Sequence, residues 1–92
     1  MIQSFKDGDT EKLARGERIA RFVSIEVVVR RKLRQLRIAA SLDDLRVPPG
    51  NRLEALTVDR AGQHSIRMND RYCICFHWRA SMAVEVEIVD CH

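Results

Sequence analysis

Asp90 and His92 stand two residues apart at the carboxyl end of this 92-residue chain. They share the alternation of Val86 and Ile88, so they extend one face of a terminal strand past its apolar part. A carboxylate beside an imidazole that titrates near neutrality is a general acid/base pair. Arg52, Arg60, Arg67 and Arg71 lie in the same half of the chain. Arg52 and Arg67 alternate away from apolar neighbours, and guanidiniums that converge can clamp a phosphate and stabilise the charge of a pentacoordinate transition state. Cys73, Cys75 and His77 fall on one strand face. Alternate strand residues are about 7 Å apart, and a tetrahedral metal site needs a fourth ligand from elsewhere, so half-buried small apolar groups are the expected role for these thiols. His64, in phase with Ile66 and Met68, reads as a packed, hydrogen-bonded core histidine.

Those residues need elements to hold them. Ile2 to Phe5 is a short strand candidate, and Asp7-Gly8-Asp9-Thr10 is a turn from which Asp9 or Thr10 can cap a first helix that Gly16 either ends or loosens. Ser24 is a plausible cap for a second helix over 25–40. Its apolar positions Ile25, Val28, Val29, Leu33, Leu36 and Ala40 recur at three- and four-residue steps, which makes one buried stripe. Ser41 to Leu45 reads as a helical turn with a capping box from Ser41 to Asp44, and Pro48-Pro49-Gly50 stops it. Beyond the prolines the period changes to two. Leu53 and Ala55, then His64 to Met68, then Tyr72 to Trp78, then Val84 to Ile88 alternate apolar and polar, with turn-rich stretches between them. Such a pattern is an antiparallel meander whose Tyr72, Ile74, Phe76, Trp78 face is the expected wall against the second helix. The expectation is an α+β fold, two helices packed on a curved, mainly antiparallel sheet, in a single domain over residues 1–92.

Composition narrows the partner class. A 46% hydrophobic and 32% charged chain suits a compact folded domain rather than a disordered one. No apolar run approaches the roughly 20 residues of a membrane helix, and Met1-Ile2-Gln3-Ser4-Phe5-Lys6-Asp7 lacks the pattern of a secretory signal. Three cysteines without such a signal suggest free thiols and a cytoplasmic location, away from membranes. The net charge is +3, and it is not spread evenly. Between Arg18 and Arg37 the only acid is Glu26, whereas the six basic and six acidic residues from Arg46 to His92 balance. Positive charge concentrated on one segment draws polyanions and gives sequence-independent affinity for phosphate backbones. No glycine-rich phosphate loop, Gly-x-Ser-x-Gly elbow or His-Glu-x-x-His is present, which argues against nucleotide hydrolysis, serine hydrolase chemistry and zinc proteolysis.

Several blocks together resemble the HigB-type toxins of type II toxin–antitoxin modules, within the RelE/ParE superfamily. They are Pro48-Pro49-Gly50-Asn51-Arg52-Leu53-Glu54-Ala55-Leu56, the run from Asp59 to Asp70, Ile74-Cys75-Phe76, and the terminal Val89-Asp90-Cys91-His92. Met1-Ile2-Gln3-Ser4-Phe5 and Arg31-Lys32-Leu33-Arg34-Gln35-Leu36 fit as well, so the similarity spans nearly the whole chain.

The resemblance implies a ribosome-dependent mRNA endoribonuclease working without metal or other cofactor. A substrate 2′-hydroxyl attacks the adjacent phosphate and the 5′-oxygen leaves, which requires a base, an acid and cations near the non-bridging oxygens. By resemblance the catalytic set is Asp90, His92, Arg60, Arg67 and Arg71, with Glu54 as a candidate base. Arg30, Arg31, Lys32, Arg34 and Arg37 of the basic helix would contact ribosomal RNA. The implied partners are a cognate helix-turn-helix antitoxin, the ribosome with its mRNA, and operator DNA only through the antitoxin. Thr57, Cys73 and Cys91 depart from the pattern, standing where relatives carry a lysine neighbourhood, a strand arginine and an aromatic residue. Two readings follow: an endoribonuclease toxin, or a catalytically degenerate homologue that binds antitoxin and takes part in co-regulation.

Overall fold

The computed structural model describes residues 1–90, with the backbone but not the side chain of Val58. The first helix, α1, spans Gly8–Ala14 and is capped by Asp7 rather than by Asp9 or Thr10. The Asp7 carboxylate accepts from the Thr10 amide at 3.2 Å and from the Thr10 hydroxyl at 2.6 Å. Thr10 is fully buried, and its hydroxyl oxygen also accepts from the Ile88 amide at 3.3 Å, so one side chain ties the cap to the sheet. Gly16, at φ 92°, closes α1 as expected. Its amide donates to Leu13 and that of Glu17 to Lys12, the paired bonds of a Schellman motif that a left-handed residue permits.

The second helix starts later than its sequence suggests. Ala20–Ile25 forms a 3-10 helix with Ser24 inside it, and α2 runs from Glu26–Ile38 without a side-chain cap at Ile25. Val29, Lys32, Leu33 and Leu36 are buried at steps of three and four, while Val27 points outward and is 71% exposed. Ala39 takes the buried place expected of Ala40, which is exposed. Leu42–Arg46 forms the expected helical turn. Asp44 accepts from the Ala40 and Ser41 amides at 2.9 and 3.1 Å, within a complete capping box.

Four strands follow: β1 Glu54–Ala55, β2 Gln63–Arg67, β3 Tyr72–Arg79 and β4 Met82–Asp90. They pair antiparallel in the order β1-β2-β3-β4. Ile2 and Phe5 add parallel bridges on the free side of β4, so the amino-terminal segment shields that edge. Ile66, Ile74 and Ile88 are cross-strand neighbours on the face that meets the helices. With Phe76, Leu33, Leu36 and Val86 they form the core. This is the expected α+β arrangement.

One strand breaks its alternation. Cys75 pairs with Glu87 but His77 pairs with Val84, so β4 carries one extra residue there. Glu85 sits at φ 52° in this bulge, and its amide donates to the Ser4 hydroxyl at 3.0 Å. The bulge resets the phase, so Ala83 and Val86 are both fully buried and Val84 is not. The β3–β4 hairpin turns through Ala80 and Ser81, both with positive φ, as a two-residue primed turn requires.

Candidate functional site

The sheet face turned away from the helices gathers most of the sequence-predicted residues. Glu54, Ser65, Cys75 and Glu87 are successive cross-strand neighbours on it, and Arg67, Cys73 and Val89 form the adjoining row. Two adjacent depressions lie over these rows and share Leu56, Ser65 and Cys73. The larger, about 370 Å³, is bounded by Arg52, Glu54, Arg67 and Asp70. The smaller, about 240 Å³, is bounded by Arg60, Cys75, Val89 and Asp90. Of the six predicted catalytic residues, Glu54 and Arg67 therefore line the larger depression and Arg60 and Asp90 the adjoining smaller one. Arg71 reaches its rim through Asp90. His92 lies outside the described residues.

Each sheet arginine of the predicted set is matched to a carboxylate. Arg60, brought over the sheet by the Val58–Arg60 turn, donates to Glu87 at 2.8 Å and to Gln63 at 3.3 Å. The Glu87 bond holds the Arg60 guanidinium above its usual pKa range. Glu87 is only 15% exposed and also faces Lys6 at 3.7 Å. Arg67 donates to Asp70 at 2.7 Å and to the Asn69 carbonyl at 3.0 Å. Arg71 donates to Asp90 at 3.1 Å, which raises its pKa, and its guanidinium lies over the Tyr72 ring. Arg52 makes no ion pair among the described residues. Sequence reading passed over Glu87 and Lys6, because nothing local links residue 87 to residues 60 and 6.

The cysteines and histidines take other roles. Cys75 is a free, buried thiol whose pKa burial pushes up. Cys73 is disulfide-bonded, which corrects the expectation of free thiols throughout. Among the described residues no group of three His, Cys, Asp or Glu is placed to hold a metal ion. His64 stacks on Phe76 with ring centroids 6.2 Å apart, as a packed histidine should. Its Nδ1 is nevertheless buried with no hydrogen-bond partner among the described residues, contrary to expectation.

The basic helix divides into two classes of side chain. Arg31, Arg34 and Arg37 are exposed. Arg30 is bonded to Glu26 at 2.6 Å and to the Glu17 carbonyl at 3.2 Å. Arg30, Arg34 and Arg37, at helical steps of four and three, line a groove of about 480 Å³ between α1 and α2 with Arg15 on its opposite wall. Lys32 does not join them. It is buried, its ammonium donates to the Asn51 side-chain oxygen, and desolvation lowers its pKa, with Arg31 adding to the effect.

Comparison with known proteins agrees with this architecture. Residues 2–92 match the family model of the RelE-like toxin of the type II toxin–antitoxin system HigB. Toxin HigB-1 of Vibrio cholerae serotype O1 is 38% identical over 86 residues, spanning 91% of this chain and 90% of that protein. An uncharacterized protein of Haemophilus influenzae is 39% identical over 51 residues, covering 55% of this chain and 50% of its own length. Antitoxin partnership is implied by the type II class, and no helix among the described residues is long and apolar enough to cross a membrane. A match along almost the whole chain, on two helices and a four-stranded antiparallel sheet, makes this chain a member of the HigB-like family of RelE-like type II toxins.

Proposed function

We propose that this chain is a ribosome-dependent mRNA endoribonuclease toxin that a cognate antitoxin neutralises. The observation that carries this reading is the pair of adjoining depressions on the outer sheet face, lined by Arg52, Arg60 and Arg67 together with Glu54 and Asp90. In the proposed reaction, the 2′-hydroxyl oxygen attacks the adjacent phosphorus as a base takes its proton. The bond to the 5′-oxygen breaks, that oxygen receives a proton from an acid, and a 2′,3′-cyclic phosphate remains. Glu54 is the base candidate, His92 the acid, and Asp90 its carboxylate mate. Arg60, Arg67 and Arg71 offset charge on the non-bridging oxygens once substrate displaces their carboxylate partners. The exposed Arg31, Arg34 and Arg37, with Arg30 beside them, face ribosomal RNA. A helix-turn-helix antitoxin that carries the pair to operator DNA completes the proposed module, in the cytoplasm.

A second reading, a catalytically silent homologue kept for antitoxin binding, is favoured by the pairing of Arg60, Arg67 and Arg71 with acids. Induced expression in a bacterial host separates the two. The nuclease reading expects growth arrest and mRNA cuts on translating ribosomes that carry cyclic-phosphate ends. His92→Ala should lower cutting about 100-fold or more, the scale of a general acid. Unimpeded growth with intact mRNA, alongside co-purification with the antitoxin, would support the binder.

A further inference from the structure

We infer that Arg52 is the residue that first seats the substrate phosphodiester, and that buried Asn51 sets the turn that presents it. This inference rests on the nuclease reading and names the docking cation of the same hollow. Arg52 ends the Pro49–Asn51 turn with φ 46° and ψ 56°, in the left-handed region where glycine is the unstrained choice. An arginine stands there although glycine would suit that backbone better, which directs attention to its side chain. That side chain is exposed, borders the larger depression beside Glu54 and Arg67, and has no carboxylate partner among the described residues. Arg60, Arg67 and Arg71 each already share their charge with an acid, which a phosphate must compete against. Among the described residues Arg52 has no such competitor.

The turn itself is built from below. Asn51 is fully buried, and its amide nitrogen donates to the Gln35 side chain at 2.9 Å and to the Leu45 carbonyl at 3.1 Å. Its oxygen takes the Lys32 ammonium. Two elements, α2 and the Leu42–Arg46 turn, therefore grip the residue immediately before Arg52, and the Arg52 amide closes the turn on the Pro49 carbonyl at 3.1 Å. A guanidinium presented from an anchored turn loses less freedom on binding than one on a loose loop.

The test is fluorescence anisotropy of the purified full chain with single-stranded RNA of mixed sequence, titrated across salt. A side chain that neutralises one phosphate contributes about 0.7 to the slope of log K against log salt for single strands. Arg52→Gly should lower the slope by about that amount while its melting temperature equals or exceeds that of the parent. Arg52→Lys should restore most of the slope, and Arg79→Ala, at the distant hairpin, should leave it unchanged. An unchanged slope in Arg52→Gly, or no salt-dependent RNA affinity in the parent, overturns the assignment. A parent that binds RNA with the Arg52 contribution but cuts no mRNA on ribosomes would overturn the nuclease reading and leave the phosphate seat standing.

Discussion

At the scale of single residues, Lys32 is the most informative. A long cationic side chain on a basic helix is ordinarily solvated, yet this one points inward and finishes on Asn51. Burial of an ammonium is unfavourable unless it is hydrogen-bonded, and here one amide oxygen offsets that penalty. Asn51→Ala removes the acceptor for Lys32 and the donor to Gln35 together. We expect it to destabilise the fold by about 1.5–3 kcal/mol, the range for hydrogen bonds to charged groups, measured by urea unfolding. Lys32→Met should lower the further cost of Asn51→Ala, because an apolar side chain leaves no charge stranded. Strict additivity of the two variants would show that the pair is not coupled. The same chemistry explains why Lys32 is absent from the proposed RNA surface while its neighbours Arg31 and Arg34 remain on it.

At the scale of elements, the Leu42–Arg46 turn shows how local rules and pH combine. Asp44 accepts from the Ala40 and Ser41 amides, and these bonds hold its carboxyl below the usual carboxylate range. A carboxylate with a depressed folded pKa contributes stability above its unfolded pKa and loses it as pH falls through the folded one. Asp44→Asn should therefore lower the urea midpoint near neutrality and approach the parent in strong acid, where the parent carboxyl is itself protonated. A midpoint difference that stays constant from pH 6 to pH 2 would contradict this account of the cap. β4 provides the contrasting case. Its alternation is plain in sequence from Val84 to Ile88, but the bulge at Glu85 depends on a partner in the amino-terminal segment, the Ser4 hydroxyl. No window around residue 85 contains that information.

At the scale of the whole molecule, charge is divided between two surfaces. The helix side presents a groove with Arg15, Arg30, Arg34 and Arg37, of which Arg34 and Arg37 form no ion pair among the described residues. The sheet side presents arginines that are mostly neutralised by acids. Long-range attraction to a polyanion should therefore come from the helices, and local capture from the sheet. Arg34→Glu with Arg37→Glu is expected to weaken ribosome co-sedimentation at least tenfold at physiological salt and to flatten its salt dependence. Melting temperature should change little, because both side chains are exposed. Equal co-sedimentation of the double variant and the parent would take the helix groove out of ribosome recognition.

The residues alone determined the change of period after Pro48-Pro49, the stripe on α2, the capping box at Ser41 and Asp44, and the imbalance of charge. They determined these because each follows from neighbours within a turn or a strand. The family resemblance was legible for the same reason, since its blocks are contiguous. Tertiary structure decided that Asp7 rather than Asp9 or Thr10 caps α1 through a side chain shared with β4, that Lys32 turns inward, and that Arg60 meets Glu87. Most of those outcomes depend on hydrogen bonds and ion pairs that join separate elements, Thr10 to Ile88, Lys32 to Asn51 and Arg60 to Glu87, and exist only once those elements have packed. Arg52 belongs to both accounts: its charge was visible at once, but that no acid among the described residues pairs with it emerged only when the other arginines had found theirs.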